Sequence, residues 1–242
     1  GLGKPNAEHD LRHTMRMDMN FPDAVEINPA TAPRASIIWL HGLGADGNDF
    51  APLVPQLGIV DALAVRVVLP HAPRRAVTIN NGMVMRAWYD IRAADFMATE
   101  DGPGIRESAR LLDALIQREV ERGVPAERIL LAGFSQGGAV VLHTGLRYPR
   151  RLAGILVLSA YLPLAASLDA ERSGENGDIP IMLAHGQQDP VVPMPWAQKS
   201  REHLQQLRYQ VEWRDYPMPH AVCPQEIGDI RNWIVRVLDQ DV

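Results

Sequence analysis

The chain has 242 residues, of which 46% are hydrophobic and 22% charged, and its formal net charge is −5. These values are ordinary for a globular domain, and the absence of a basic run argues against a nucleic-acid or anionic-membrane partner. A single cysteine, Cys223, excludes an internal disulfide framework and favours a reducing compartment, which predicts the cytoplasm. No run of about 18 apolar residues exists in the sequence, so we expect no membrane insertion.

Residues 1–20 are predicted to be a flexible N-terminal extension. They lack the apolar core of a signal peptide, and because the chain begins with Gly1 rather than Met, an expression-vector remnant is the other interpretation. His9 and His13 in this stretch are interpreted as tail residues, and no metal or cofactor is expected. Residues 21–242 contain no repeat and no linker, so they are predicted to form one domain.

Strand and helix patterns alternate along that domain. Short apolar runs predict strands over 24–28, 35–40, 65–69, 129–132, 155–158, 181–184 and 211–216. Apolar residues at helical spacing predict helices over 48–57, 105–120, 139–148, 196–207 and 227–237. This alternation is typical of a mostly parallel central sheet with helices on both faces.

Two long stretches show no regular period. Residues 71–96 contain prolines and an Asn80-Asn81-Gly82 sequence, and residues 159–178 follow a strand with a polar tail. We interpret both as loops. The first is long enough to be a functional loop over a site.

The stretch from Gly133 to Gly138 is the strongest chemical signal in the chain. It reads GFSQGG, follows a buried strand and precedes a helix, which is the context of a nucleophile elbow. Glycines two residues before and two residues after Ser135 are required because side chains at those positions would crowd so tight a turn. The elbow predicts Ser135 as nucleophile and places the N–H of Gln136 at a helix N-terminus.

A serine hydroxyl needs a base, and the base needs an orienting acid. With this elbow the acid follows the serine in the chain and comes after a later strand. Asp189 does so, whereas Asp169 and Asp178 lie in the predicted polar loop and Asp215 lies inside a strand pattern. Asp189 is therefore the predicted acid.

Of eight histidines, one follows Asp189 in a loop between the last predicted strand and helix, and it is His220. His41 and His185 end strands before a glycine, where an imidazole usually bonds locally, so a structural role is predicted for both. The remaining histidines lie in the tail, inside helices or before the serine: His9, His13, His71, His143 and His203. His220 is therefore the predicted base.

A second oxyanion donor is expected in the loop after an early strand. The sequence His41-Gly42-Leu43-Gly44 occupies that place, and the backbone N–H of Leu43 is the candidate.

Five separated motifs resemble the phospholipase/carboxylesterase family of α/β-hydrolases, which includes acyl-protein thioesterases and bacterial carboxylesterases. They are WLHGLGADG (39–47), WYDI (88–91), GFSQGG (133–138), LSAYLPL (158–164) and HGQQDPVVP (185–193). The resemblance runs from about 36 to 238. It implies hydrolysis of carboxylic esters and thioesters without a cofactor, with Ser135, Asp189 and His220 on the family's triad and Leu43 and Gln136 on its oxyanion hole.

The substrate pocket is predicted in less detail. Residues 77–88 resemble the family's acyl-side loop, and Tyr161 and Val191 match positions near its acyl pocket. Met83, Met85 and Trp88 are interpreted as further apolar wall. We expect a bacterial-type carboxylesterase for short to medium acyl groups, acting on small molecules.

Four alternatives remain open at this point. They are an acyl-protein thioesterase, a lysophospholipase, a peptidase or amidase of the same fold, and a non-catalytic binding protein, the last disfavoured by the complete triad. A homodimer is the one assembly considered.

Overall fold

A computed structural model describes residues 22–95 and 97–239 of the chain. The predicted extension over 1–20, with His9 and His13, lies outside the described residues, as do residues 21, 96 and 240–242. Across the described ranges, no helix combines the length and the apolar character needed to cross a bilayer.

The described residues form nine strands: β1 Ala24–Ile27, β2 Ala35–Leu40, β3 Val65–Pro70, β4 Arg74–Val77, β5 Met83–Arg86, β6 Ile129–Phe134, β7 Gly154–Leu158, β8 Ile181–Gly186 and β9 Val211–Tyr216. Seven of them make one sheet in the order β1-β3-β2-β6-β7-β8-β9. β1 pairs antiparallel with β3, and every other pair in this sheet is parallel. The predicted mostly parallel sheet is confirmed.

Six α-helices accompany the strands: α1 Leu53–Leu57, α2 Gly102–Glu121, α3 Gln136–Arg147, α4 Ala165–Glu171, α5 Met194–Gln206 and α6 Pro224–Leu238. Short 3₁₀ turns lie at Thr78–Asn80, Ala126–Arg128 and Gly174–Asn176. α2 begins where the Asp101 carboxylate accepts a hydrogen bond from the Gly104 N–H at 3.1 Å.

The sheet has an apolar core on each face because successive strand residues point to opposite sides. In β2, Ile38 and Leu40 belong to the core that includes residues of α2, α3, α4 and α5, while Ile37 and Trp39 belong to the core on the other face, with residues of α1 and α6. Helices therefore cover both faces, as predicted. Since the strands are parallel, their carboxyl ends meet at one edge of the sheet, where the loops that carry the candidate residues converge.

Three predictions of local structure were wrong. The helix predicted over 48–57 is shortened to α1, because Pro52 lies at its N-cap and leaves the preceding residues in turns, although Phe50 is buried as expected. The predicted loop over 71–96 contains the β4–β5 hairpin. The predicted loop over 159–178 contains α4, which carries Asp169.

Candidate active site

Ser135 lies in a strained turn between β6 and α3. Its backbone has φ 56° and ψ −122°, a conformation that side chains rarely adopt. The flanking glycines are needed for close approach: a Cβ on Gly133 would lie 2.4 Å from the carbonyl oxygen of Gly137, and one on Gly137 would lie 2.4 Å from that of Leu40. The turn has the geometry of the predicted elbow, and Gly137 packs it onto the end of β2.

The three predicted catalytic side chains meet at the carboxyl edge of the sheet. His220 Nε2 lies 2.9 Å from Ser135 Oγ, across 85 residues of sequence. On the other side of the ring, His220 Nδ1 lies 2.6 Å from Asp189 Oδ2. The structure thus brings all three together in one chain of hydrogen bonds.

Asp189 is a buried carboxylate whose two oxygens are both bonded. Oδ1 accepts the N–H groups of Val191 and Val192 at 2.8 and 2.9 Å, while Oδ2 faces His220. Burial alone would raise the pKa of Asp189, but the hydrogen bonds from His220 and Val192 outweigh it and hold the pKa below its usual range. The carboxylate is ionised and accepts only, so His220 Nδ1 carries a proton and Nε2 presents its lone pair to the serine hydroxyl.

The loop that carries His220 packs closely against the end of β8. A Cβ on Gly186 would lie 2.3 Å from the carbonyl oxygen of Pro219 and 2.5 Å from that of Met218. The N–H of Gln188 also donates to the Met218 carbonyl at 3.1 Å. These contacts join the connection between β9 and α6 to the segment that bears Asp189.

The two predicted oxyanion donors flank Ser135. The N–H of Gln136 is at the first residue of α3, where a helix leaves its N–H groups without carbonyl partners. The loop that carries Leu43 also reaches the serine, because a Cβ on Gly42 would lie 3.4 Å from the Cβ of Ser135. Leu43, Ser135 and Gln136 line one cavity.

That cavity has a volume of about 290 Å³ and opens beside Ser135. Its lining is mostly apolar: Leu43, Ile79, Asn80, Tyr89, Ile91, Ala94, Ser135, Gln136, Tyr161, Pro190, Val191 and Val192. Of the predicted pocket residues, Tyr161 and Val191 belong to it. A larger cavity of about 550 Å³ lies at the amino ends of the strands and contains none of the predicted site residues.

Met83, Met85 and Trp88 do not line the cavity, and this corrects the predicted wall. Met83 is 64% exposed on the hairpin. Met85, in β5, is partly buried against the core, and its sulfur accepts a hydrogen bond from the Asn80 side-chain amide at 3.7 Å. Trp88 is buried in the core, with its indole N–H bonded to the His41 carbonyl at 2.9 Å.

Several lining residues were not named individually from the sequence. Ile79 and Asn80 lie in the 3₁₀ turn of the hairpin, within the predicted acyl-side loop over 77–88. Tyr89 adjoins the predicted Trp88, and Val192 adjoins the predicted Val191. Nothing in the local sequence indicates that Ala94 lines the cavity.

His41 and His185 make the local hydrogen bonds that the sequence predicted. His41 Nδ1 donates to the Gly42 carbonyl at 2.7 Å, and its Nε2 accepts the Ala72 N–H at 2.9 Å. His185 Nε2 donates to the Val192 carbonyl at 2.7 Å. Burial lowers the pKa of both imidazoles, so they are neutral structural groups.

Sheet topology, elbow and site geometry together define an α/β-hydrolase. The model of the phospholipase/carboxylesterase family matches residues 22–238, and the chain belongs to this family. It is therefore a hydrolytic enzyme of the carboxylesterase and acyl-thioesterase class.

Named relatives agree with this family. The chain is 38% identical to acyl-protein thioesterase 1 of Cryptococcus neoformans, over 88% of this chain and 97% of that protein. It is 40% identical to acyl-protein thioesterase 1 of Neurospora crassa, over 87% and 90% of the two chains. The crystal structure of Zea mays acyl-protein thioesterase 2 superposes with a TM-score of 0.80 at 27% identity, covering 90% of this chain and 100% of that one.

Proposed function

We propose that this enzyme cleaves carboxylic esters and thioesters of short to medium acyl chains through a Ser135–His220–Asp189 triad and an acyl-enzyme intermediate. The observation that carries the proposal is the chain of hydrogen bonds from Ser135 Oγ through His220 to Asp189, with distances of 2.9 and 2.6 Å. Each group has the neighbour that its role requires.

In the first step Ser135 Oγ attacks the acyl carbonyl carbon while His220 Nε2 accepts the hydroxyl proton. The ionised Asp189 stabilises the imidazolium that forms and holds the ring in the required tautomer. The carbonyl oxygen becomes an oxyanion, which receives the N–H groups of Leu43 and Gln136. One such donor is worth about 3–4 kcal/mol in the measured precedent.

His220 then gives its proton to the leaving alcohol or thiol as the tetrahedral intermediate collapses, which leaves the acyl group on Ser135. Water enters, loses a proton to His220 Nε2 and attacks the same carbonyl. Collapse of this second intermediate returns the proton to Ser135 Oγ and releases the carboxylic acid. No other reagent is required.

The cavity supports a substrate of limited size. Its volume of about 290 Å³ is at the lower end of ligand pockets, and its lining offers an acyl chain mainly apolar contact. Relatives named acyl-protein thioesterases favour thioesters as well as oxygen esters, and an acylated protein or a lysophospholipid is the alternative substrate for the same site.

A fluorophosphonate probe tests the proposal because an activated serine attacks its phosphorus and displaces fluoride, which leaves a stable phosphonylated enzyme. We expect labelling of the wild-type enzyme at Ser135, and loss of both labelling and p-nitrophenyl butyrate hydrolysis in Ser135→Ala. Labelling that persists in the variant would assign the nucleophile elsewhere. An unlabelled wild type would favour a non-catalytic binding protein, and cleavage of anilides as fast as esters would favour an amidase.

Compartment and assembly remain part of this proposal. The free Cys223 supports a reducing compartment, which we take to be the cytoplasm. The homodimer considered from the sequence stays a prediction, and analytical ultracentrifugation is the measurement that decides it.

A further inference from the structure

The buried side-chain amide of Gln136 holds the loop that follows β5, and we call such a contact an amide clamp. Gln136 is 4% exposed, and its Oε1 accepts the Trp88 N–H at 2.6 Å while its Nε2 donates to the Tyr89 carbonyl at 2.8 Å. The oxygen and the nitrogen of this side-chain amide therefore both bond to the backbone of two consecutive residues. This use is separate from the backbone N–H of Gln136, which the reaction employs.

Trp88 links the Gln136 side chain to the loop that carries Leu43, the second predicted oxyanion donor. Its indole N–H donates to the His41 carbonyl at 2.9 Å, and its ring packs on the His41 imidazole with centroids 5.3 Å apart. His41 directly precedes Gly42 and Leu43. The hydroxyl of Ser108 holds the Trp88 carbonyl from the other side. A displacement of Trp88 would therefore reach the loop that carries the Leu43 N–H.

Tyr89 links the Gln136 side chain to the wall of the cavity beside Ser135. Its hydroxyl lies 2.8 Å from that of Tyr161, and both residues line the cavity beside Ser135. The Gln136 amide thus joins the elbow to the oxyanion loop through Trp88 and to the acyl wall through Tyr89.

We propose that the Gln136 side chain is a positioning residue that keeps the Leu43 and Gln136 backbone N–H groups in register for the oxyanion. The proposal rests on the proposed function, because it assigns an effect on that reaction's transition state. An aliphatic residue of the same length leaves the Trp88 N–H and the Tyr89 carbonyl buried without partners, and the loop shifts to satisfy them. Small displacements of transition-state donors have large kinetic effects.

Gln136→Met tests the proposal, and the chain offers a matched control. Asn176 is a second buried amide clamp, which accepts the Leu152 N–H at 2.9 Å and donates to the Tyr148 and Arg150 carbonyls at 3.0 and 2.8 Å, remote from the cavity. We expect kcat for p-nitrophenyl butyrate to fall about ten- to 100-fold in Gln136→Met, with a smaller change in KM. Asn176→Leu is expected to lower Tm while kcat stays within about two-fold of the wild type.

A double-variant cycle tests the route through Trp88. Trp88→Phe keeps the aromatic packing and removes the N–H that bonds the His41 carbonyl. Its effect on kcat should be less than additive with that of Gln136→Met, since both variants disturb the same link between Gln136 and the Leu43 loop.

If Gln136→Met fails to fold, Gln136→Glu replaces it, because the carboxylate keeps an acceptor for Trp88 and loses the donor to Tyr89. A lowered kcat is again expected.

Three results would overturn the proposal. The first is a folded Gln136→Met, or Gln136→Glu in its place, that has wild-type kcat. The second is a loss of kcat in that variant no larger than the loss in Asn176→Leu. The third is full additivity of its effect on kcat with that of Trp88→Phe. Failure of the proposed function looks different, because then either the wild type would be inactive and unlabelled or Ser135→Ala would retain activity.

Discussion

The aromatic ring of Phe134 packs against the imidazole of His220, with centroids 4.8 Å apart and planes inclined by 44°. Phe134 immediately precedes Ser135, so the segment that carries the proposed nucleophile also packs against the proposed base, His220. The same ring also packs against Phe50, with centroids 5.4 Å apart. The separation of Ser135 and His220 therefore depends on packing around one phenyl ring as well as on their hydrogen bond.

Asp189→Asn should lower kcat by about 10⁴-fold while the fold is retained. The amide no longer stabilises the imidazolium, and its N–H₂ favours the wrong tautomer of His220. The measurement is kcat for a short p-nitrophenyl ester beside a circular-dichroism melt. Asp215→Asn is the control, because Asp215 bonds the side chains of Gln187 and Trp213 nearby and does not reach the triad. Comparable losses in the two variants would contradict the role of Asp189.

Gly137→Ala should destabilise the protein by several kcal/mol, because the added Cβ would lie 2.4 and 2.5 Å from the backbone oxygens of Leu40 and His41. Leu40 is the last residue of β2, and the His41 carbonyl is held by the Trp88 indole N–H at 2.9 Å. Gly228→Ala is the matched control in α6, since its Cβ would meet nothing within 4 Å, and it should add about 0.5–1 kcal/mol of stability. Urea melts measure both. A Gly137→Ala variant of wild-type stability would show that the elbow is less tightly packed than the structure indicates.

Glu226→Gln should stabilise the protein at pH 8 and leave its stability unchanged near pH 4. Glu226 is fully buried at the start of α6; its Oε1 accepts the Cys223 N–H at 3.3 Å and its Oε2 has no partner. Burial raises the pKa of Glu226 from 4.5 to about 7, with a smaller contribution from Asp229 and an opposing one from the Cys223 bond.

The sign follows from proton binding. Between pH 4.5 and about 7 the unfolded chain releases this proton while the folded protein retains it, so stability is full below pH 4.5 and is lost as pH rises to about 7. The neutral amide avoids this loss, which is about 3 kcal/mol. Tm measured against pH for both proteins tests the prediction, and a constant difference across the range would contradict it.

Ile79→Ala should lower kcat/KM for butyrate and hexanoate esters about five-fold, because the side chain lines the cavity and its loss removes about 1 kcal/mol of apolar contact. Val84→Ala is the control on the same hairpin; Val84 is 60% exposed and Ile79 41%, and Val84 does not line the cavity. A panel of p-nitrophenyl esters of increasing acyl length separates the two. Equal effects would mean that the hairpin acts through its overall position instead of through Ile79.

The sequence predicted the sheet and the meeting of Ser135, Asp189 and His220 because those features obey strong local rules. Buried parallel strands are continuous apolar runs, and the elbow needs glycines at fixed offsets. The order of the acid and the base in the chain then left few candidates. These constraints act within a few residues and so can be read without coordinates.

The hairpin and α4 were missed because few of their residues are buried, so neither leaves an apolar period in the sequence. In β4 only Val77 is buried, and β5 has no buried residue, so no alternation appears in the sequence. In α4 only Leu168 is buried, and Leu164 at its N-cap is left-handed without a side-chain cap. The position of Trp88 depends on hydrogen bonds with His41 and Gln136, which lie 47 and 48 residues away in the sequence and which no local pattern indicates.

The proposed base, His220, lies in the connection between β9 and α6, the last two elements of the described residues. The N-terminal part of a domain leaves the ribosome first, so the residues of the elbow emerge, and can begin to fold, well before His220 does. Before β9 and the loop after it have been made, Ser135 lacks the imidazole that the proposed mechanism requires. On that mechanism we expect hydrolytic activity only once nearly all of residues 22–239 have been made, and we expect a chain truncated before β9 to be inactive.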